Sequence, residues 1–111
     1  MVDLSYNNFM GQVPTDLGNL LNVRWIAVAR NSLGGNSAND LDFLTSLENC
    51  TKLEKLDVSY NNFGGSLLDS IGNLSKQLSA FYIQNNQISE IIPTAFENLI
   101  NLSLLNMWKN L

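Results

Sequence analysis

The side chains that most often act in catalysis or hold metal ions are scarce in this 111-residue chain. It contains no histidine, which excludes a Ser-His or Cys-His nucleophile and a histidine-ligated metal. Two pairs of carboxylates lie close in sequence, Asp40 with Asp42 and Glu54 with Asp57. A helix cap and a solvated strand face explain them better than acid–base chemistry does. The glycine pairs match no phosphate-binding motif, so we expect a binding or scaffold module without catalytic residues, metal or cofactor.

Residue types that favour the recognition of a ligand are common instead. Tyrosine, tryptophan and arginine are enriched among the residues that dominate binding energy at protein interfaces. The chain contains an internal repeat, in which Arg30 occupies the same position as Tyr6 in the copy before and Tyr60 in the copy after. This arrangement suits cation–π stacking or contact with an acidic group of a ligand. The alternative is that these are ordinary solvent-exposed positions of a scaffold. The candidate ligand-binding residues are Tyr6, Trp25, Arg30, Lys55, Asp57, Tyr60, Tyr82, Gln84, Asn106 and Trp108.

An internal repeat positions these residues. Its most complete copy spans residues 53–74, LEKLDVSYNNFGGSLLDSIGNL, and opens with the spacing L-x-x-L-x-L. Further copies begin at Val23, Leu78 and Leu102, and the start of the chain carries the end of another. The alternating apolar residues predict one short strand with a buried face in each copy.

The positions between the apolar residues of each strand are predicted to point outward from the concave face of a stacked parallel sheet. They form three columns, which are Asp3, Ala27, Asp57, Tyr82 and Asn106; Ser5, Ala29, Ser59, Gln84 and Trp108; and Tyr6, Arg30, Tyr60, Asn85 and Lys109, with Trp25 and Lys55 beside them.

An asparagine follows each strand at a fixed position. These residues are 24, 30, 25 and 24 positions apart, and they are Asn7, Asn31, Asn61, Asn86 and Asn110. A carboxamide both donates and accepts hydrogen bonds, so each asparagine can satisfy backbone groups of its own and the adjacent turn. The sequence predicts an asparagine ladder, whereas the alternative treats asparagine only as a common turn residue.

The residues after the first strand carry a more specific pattern, F-x-G-x-V-P-x-x-L-G-x-L. It is formed by Phe9, Gly11, Val13, Pro14, Leu17, Gly18 and Leu20. This pattern resembles the plant-specific class of leucine-rich repeat, whose period also fits. The resemblance implies an α/β, right-handed solenoid of about four turns over residues 1–111, with parallel strands on the concave face and short helical turns on the convex side. Gly11 is expected at positive φ or at a close approach, and Pro14 at the start of a helical turn over residues 15–20.

The second copy contains an insertion. Residues 40–50, DLDFLTSLENC, place apolar side chains at helical spacing, which predicts an amphipathic helix of about ten residues on the convex side. Asn39 or Asp40 is expected to cap its start. The segment FLTSLENCTKLEKL resembles a repeat variant of the ectodomains of plant receptor-like serine/threonine kinases.

Other copies depart from the pattern. Leu68 replaces the proline of the third copy, and Glu90 and Glu97 replace the glycines of the fourth. The turn geometry at Glu90 is left open, because a non-glycine residue at positive φ is costly. The single cysteine, Cys50, is expected to be a buried thiol, and the alternative is a disulfide to a cysteine outside the chain.

The resemblance implies an extracellular segment of a plant receptor-like kinase that perceives peptides or microbial molecules. The implied partners are a protein or peptide ligand and, as a further candidate, a co-receptor. One alternative is a secreted leucine-rich-repeat inhibitor of cell-wall-degrading enzymes, which shares the consensus. Another is a truncated gene copy without a function.

The resemblance also implies a location on the extracellular side of the plasma membrane, as part of a longer membrane protein. The net charge of −4 argues against nucleic acid or an anionic membrane surface as a partner. No apolar run is long enough to span a membrane, and no signal-peptide pattern follows Met1. Both ends fall within a repeat, so we expect a fragment truncated at both ends. Sequons predict N-glycosylation at Asn49, Asn73 and Asn101.

Overall fold

Seven short strands and a few single helical turns make up the computed structural model, which describes residues 1–89 and 91–111. The strands are β1 (Val2–Asp3), β2 (Met10–Gly11), β3 (Trp25–Ala27), β4 (Ser32–Leu33), β5 (Lys55–Asp57), β6 (Ala80–Tyr82) and β7 (Leu104–Asn106). The main sheet is parallel and has the order β1-β3-β5-β6-β7, so each turn adds one strand beside the previous one. This confirms the predicted solenoid. The question about the turn at Glu90 lies outside the described residues.

The core lies directly beneath the main sheet. Ile26, Leu56 and Phe81 stand in register on adjacent strands, and each is at most 1% exposed. Behind them, the rings of Phe43 and Phe63 pack with their centroids 5.6 Å apart. Because successive strand residues point to opposite faces, burial of these side chains directs their neighbours in sequence toward the concave surface.

A second, two-stranded parallel sheet joins β2 and β4 on the flank of the solenoid. The sequence reasoning did not predict it. Gly11 in β2 has φ of 85°, which confirms the predicted positive φ. The N–H of Gly34 donates to the carbonyl of Gly11 at 2.8 Å, so this turn is tied to the next one along the chain.

Short 3-10 turns form the opposite side of the solenoid. They span Thr15–Asn19, Leu47–Asn49, Asp69–Asn73 and Thr94–Asn98, and the first confirms the helical turn predicted after Pro14. Leu68 precedes its turn with ψ of 162°, close to the 143° and 138° of Pro14 and Pro93. Without the consensus proline, Leu68 therefore still adopts the extended conformation that precedes the turn.

The predicted helix over residues 40–50 is shorter than expected. The chain forms α1 (Phe43–Ser46) followed by the 3-10 turn Leu47–Asn49. The residue at the N-cap position is Asp42, and no side chain caps this end. The prediction that Asn39 or Asp40 caps the helix is wrong, because residues 38–42 form turns and the carboxylate of Asp40 is engaged elsewhere.

Asp40 is a buried carboxylate that joins three turns of the solenoid. It is 1% exposed. Its Oδ2 accepts hydrogen bonds from the N–H groups of Gly35 at 3.0 Å, Ser37 at 2.9 Å and Gly64 at 2.9 Å. Its Oδ1 accepts from Nε2 of Gln12 at 2.9 Å. Burial raises the pKa of Asp40, but these hydrogen bonds outweigh burial and hold the pKa below its usual value.

Cys50 is fully buried and free, as the sequence predicted. Its Sγ lies 3.7 Å from the carbonyl oxygen of Leu17 in the preceding turn. Burial raises the pKa of the thiol above its usual value. The thiol therefore fills space between two turns and is poorly placed for reaction.

Candidate ligand-binding groove

The predicted ladder asparagines lie in one column where the chain leaves each strand. Nδ2 of Asn61 donates to the carbonyls of Val58 and Ser59 in its own turn and to Val28 in the preceding one, at 3.0–3.2 Å. Its Oδ1 accepts from the N–H of Leu33 at 3.0 Å. Corresponding hydrogen bonds link Asn31, Asn86 and Asn110 to their preceding turns, and Asn7 bonds within its own turn. These bonds fix the backbone that carries the outward-facing columns.

The residue before each ladder asparagine adopts a left-handed backbone conformation. In this column φ lies between 54° and 59°, at Tyr6, Arg30, Tyr60, Asn85 and Lys109. For residues other than glycine this conformation costs roughly 1–2 kcal/mol. The hydrogen bonds of the adjacent asparagine hold the turn in place, so the side chains of this column leave the end of the strand at a fixed angle.

A groove of about 630 Å³ runs along the concave face, a volume that is ordinary for ligand sites. Its floor contains Ala29 and Ser59, which are 6% and 2% exposed. The sequence placed this middle column outward on the surface, but the neighbouring larger side chains bury its members Ala29 and Ser59, whereas Trp108 of the same column is exposed. Small residues in the floor and large ones at the edges create the depression.

Aromatic and cationic side chains form the walls of the groove. The guanidinium carbon of Arg30 lies 3.9 Å from the ring centroid of Tyr60 and 5.4 Å from that of Tyr6. The stacking that the sequence suggested is therefore present within the chain. Nζ of Lys55 lies 4.2 Å from the ring centroid of Trp25 on the opposite edge. These contacts orient two cations without neutralising them.

Two carboxylates occupy the strip between the cations, and each accepts hydrogen bonds locally. Oδ1 of Asp57 accepts from the backbone N–H of Ser59 at 3.0 Å and from its hydroxyl at 2.6 Å. Oδ1 of Asp3 accepts from the N–H of Ser5 at 3.0 Å. The backbone hydrogen bond from Ser5, followed by the bond from its side chain, lowers the pKa of Asp3. Asp3 is therefore anionic at neutral pH.

Eight of the ten candidate binding residues line this groove. They are Tyr6, Trp25, Arg30, Lys55, Asp57, Tyr60, Tyr82 and Gln84. Trp108 lines a separate depression of about 400 Å³ near the C-terminal end, although its ring meets that of Tyr60 edge-on at 6.2 Å. Asn106 lies on β7, beyond the groove lining.

Two residues of the lining, Met1 and the buried Ile26, lie outside the predicted outward-facing positions. Met1 occupies the strand position that Trp25 and Lys55 hold in later turns, and it lines the groove. The repeat register contained the signal, because Met1 precedes Val2 as Trp25 precedes Ile26.

Gln84 differs from the other members of the lining. Its side chain is 8% exposed, and its Oε1 has no hydrogen-bond partner in the described part of the chain. The outward-facing prediction for Gln84 needs correction, since the side chain is buried in the groove floor between the strands that carry Tyr60 and Trp108.

The sequon asparagines lie away from the groove. Asn49 and Asn73 end the 3-10 turns of the second and third copies, and both are exposed. Asn101 is also exposed, but its Nδ2 donates to the carbonyl of Lys76 at 2.7 Å. No helix in the described ranges has the length and apolar character needed to cross a membrane. Within the same ranges, His, Cys, Asp and Glu form no cluster of three that could hold a metal ion.

The family model for the Leucine Rich Repeat matches residues 1–20, 52–74 and 77–99. The LRR receptor-like serine/threonine-protein kinase EFR of Arabidopsis thaliana is 44% identical over 88 residues, which cover 79% of this chain and 8% of that protein. The chain thus spans less than a tenth of the length of this curated relative.

Two solved plant receptors share the fold. One is the Arabidopsis receptor kinase HAESA in complex with the peptide hormone IDA and the co-receptor SERK1. It aligns with a TM-score of 0.81 and 29% identity over 95% of this chain and 17% of that chain. The other, the plant peptide hormone receptor RGFR1 in complex with RGF2, aligns with a TM-score of 0.68 and 25% identity over 98% of this chain and 20% of that chain.

Proposed function

Because this chain belongs to the leucine-rich-repeat family, we propose that it is an extracellular ligand-recognition segment of a plant receptor-like kinase. In this proposal the concave groove binds a protein or peptide ligand. The phosphoryl transfer of the full-length receptor would belong to a separate kinase domain. The sequons at Asn49, Asn73 and Asn101 would then carry glycans on surfaces outside the groove.

The groove itself is the observation that carries the proposal. It combines a floor that contains the small side chains of Ala29 and Ser59 with walls that contain Trp25, Tyr60 and Arg30. The three wall residues are of types that dominate binding energy at interfaces. Stacking holds these walls in place, so fewer rotamers must be ordered when a ligand binds. A scaffold surface without a ligand has no need for such a pre-organised cluster.

The relatives support a peptide ligand and a co-receptor in particular. HAESA is described with a peptide hormone and a co-receptor, and RGFR1 as a peptide hormone receptor. Similarity to receptor kinases over most of this chain favours the same arrangement for it. We therefore expect the ligand to be a peptide or an extended protein segment, with a co-receptor as a second partner.

Selection from a random peptide library against the 111-residue chain tests this function. Peptides enriched on the wild-type chain should bind Tyr60→Ala and Tyr82→Ala about thirtyfold more weakly, since truncation of a central aromatic anchor commonly removes about 2 kcal/mol or more. Thr45→Ala lies on α1, outside the groove, and should bind normally. Equal binding by all of these variants would show that the groove is not the recognition surface.

A further inference from the structure

We propose that the groove selects an extended peptide that carries a carboxylate for Arg30 and, three residues away, a hydrogen-bond-donating side chain for Gln84. This inference rests on the proposed ligand-binding function and adds to it the chemical pattern of the ligand. Three features of the groove support it: the unpaired guanidinium of Arg30, the unpaired amide oxygen of Gln84, and the distance between the strands that carry them.

Arg30 is ready to hold a carboxylate. Within the described residues the one ion pair joins Arg24 to Glu54 outside the groove, and no hydrogen bond involves the side chain of Arg30. The rings of Tyr6 and Tyr60 flank its guanidinium group. Stacking against a ring leaves the N–H groups at the edge of the guanidinium plane free, and these match the two oxygens of a carboxylate.

Gln84 requires a donor. The residue lines the groove, and its Oε1 is shielded from solvent and accepts no hydrogen bond from the described chain. A buried amide oxygen without a donor is unfavourable, so a ligand N–H that reaches it with a small rotation of the side chain restores the missing bond. The carboxylate of Asp57 faces the same groove, and it favours a cationic donor such as lysine over a neutral one.

The distance between the two positions defines the spacing of the ligand. Arg30 follows β3 and Gln84 follows β6, and only β5 lies between these strands. Two strand spacings amount to about 10 Å, and the offset of one residue between the columns of Arg30 and Gln84 lengthens this separation only slightly. A peptide in the polyproline II conformation has three residues per turn and rises about 3.1 Å per residue, so side chains three positions apart share one face about 9 Å apart. An acidic residue followed by two prolines and a lysine meets these requirements.

A double-mutant cycle between chain and peptide tests this pattern. The probe is acetyl-Gly-Glu-Pro-Pro-Lys-Gly-amide, titrated over the 111-residue chain immobilised at low density on a sensor surface, where its molecules are kept apart and weak affinities are measurable. Replacing the glutamate of the probe by glutamine, or its lysine by methionine, should each weaken binding by about tenfold, as expected for a charge-assisted hydrogen bond. In a second peptide the carboxylate is a free C-terminus at the same spacing from the lysine. Comparing its affinity with that of the probe shows whether a chain end or an acidic side chain supplies the carboxylate.

Each chain variant should abolish one preference and keep the other. Arg30→Gln should no longer distinguish glutamate from glutamine in the probe, but should still prefer lysine to methionine. Gln84→Met, which keeps the shape of the side chain, should show the reverse. Arg24→Gln and Gln87→Met are matched controls outside the groove, and both preferences should survive in them.

Two results would overturn the proposal. One is failure of the wild-type chain to bind the probe at millimolar concentration. The other is a result in which Arg30→Gln and Gln84→Met each lose both peptide preferences, or each keep both. Arg30 would then not be the specific contact for glutamate, nor Gln84 the specific contact for lysine. If peptides selected from the library still depend on Tyr60 and Tyr82, the ligand-binding function stands and only the charge pattern is wrong.

Discussion

Replacement of Asp40 by alanine should strongly destabilise the chain. The carboxylate accepts hydrogen bonds from the N–H groups of Gly35, Ser37 and Gly64 and from the side chain of Gln12. These donors come from three successive turns of the solenoid. Removal of the acceptor therefore weakens the interfaces between turns, from which a repeat protein derives much of its stability.

The magnitude depends on which donors can reach water after the substitution. Gly64 is buried, and an unsatisfied buried N–H costs about 1–3 kcal/mol. Gln12 and Gly35 are exposed and Ser37 is half-buried, so their bonds to a charged acceptor are replaced by bonds to water at a smaller loss. We expect a total loss of about 3 kcal/mol, against a typical stability of about 5–15 kcal/mol for a domain. This corresponds to a decrease in Tm of roughly 10–20 °C.

Urea and thermal denaturation of the 111-residue chain, followed by circular dichroism, measure this loss. Asp40→Asn should lose only about 1 kcal/mol, because one amide oxygen still accepts from the backbone N–H groups and the carboxamide of Gln12 can turn to accept from the new NH₂. Asp42→Ala, an exposed neighbour, serves as the matched control and should be nearly neutral. Equal midpoints for Asp40→Ala and Asp42→Ala would refute the idea that Asp40 joins the turns.

Acidification provides a second measurement on the same residue. The hydrogen bonds hold the pKa of Asp40 in the folded chain below its ordinary value of 3.8. A group with a lowered pKa stabilises the folded state fully above its unfolded-state value and loses this contribution as the pH falls through the folded value. The difference in stability between wild type and Asp40→Asn should therefore persist at pH 7 and shrink below about pH 4. A constant difference down to pH 2 would contradict this assignment.

Three further outcomes are expected. Asn61→Leu should lower the free energy of unfolding by about 1–3 kcal/mol, because buried backbone groups lose their partners. The same change at its exposed neighbour, Asn62→Leu, should have little effect. An unchanged urea midpoint for Asn61→Leu would rule out the ladder role of that residue. Cys50 should resist alkylation by iodoacetamide in the folded chain and react once the chain is unfolded in urea, so rapid labelling of native protein would show that the thiol is accessible. The isolated chain should associate at micromolar concentration, because Leu4 and Phe9 at its first turn are 41% and 47% exposed. A monomer in sedimentation that also unfolds in a sharp thermal transition would show that this open surface is less unfavourable than expected.

The repeat register predicted most of the fold, because each feature recurs several times with the same residue type. The strands that contain Ile26, Leu56 and Phe81, and the 3-10 turn after Pro14, lie where the apolar spacing and the proline indicated. The helix in the insertion occurs only once, so nothing in the register limits its ends. Asp40 looked like a cap from its position before an apolar run, but its carboxylate accepts from the backbone of Gly35 in the preceding loop and of Gly64 in the next turn, not from the helix.

The candidate site was predictable as a set of columns but not as a shape. Alternation along a strand identifies which residues face outward, whereas their depth depends on the size of the neighbours on adjacent strands. Ala29 and Ser59 are buried because larger residues surround them. Gln84 is long enough to reach the surface, yet it lies in the floor. Only the assembled sheet reveals that its amide oxygen lacks a donor.

The left-handed backbone at Tyr6, Arg30 and Tyr60 connects the stability of the fold with its recognition surface. Aromatic and charged residues have no intrinsic preference for this conformation, so the sequence gives no local sign of it. The asparagine that follows each of them forms the hydrogen bonds that hold the turn. The turn then aligns Arg30 between the rings of Tyr6 and Tyr60. A change in the ladder should therefore alter ligand affinity as well as stability. Asn31→Asp is the most direct case: it keeps the acceptor that faces the N–H of Phe9 and loses the donor to the carbonyls of Leu4 and Val28. We expect this variant to remain folded at low temperature and to bind groove peptides more weakly than wild type, although Asn31 does not itself line the groove and reaches it only through a hydrogen bond to the backbone carbonyl of Ala29.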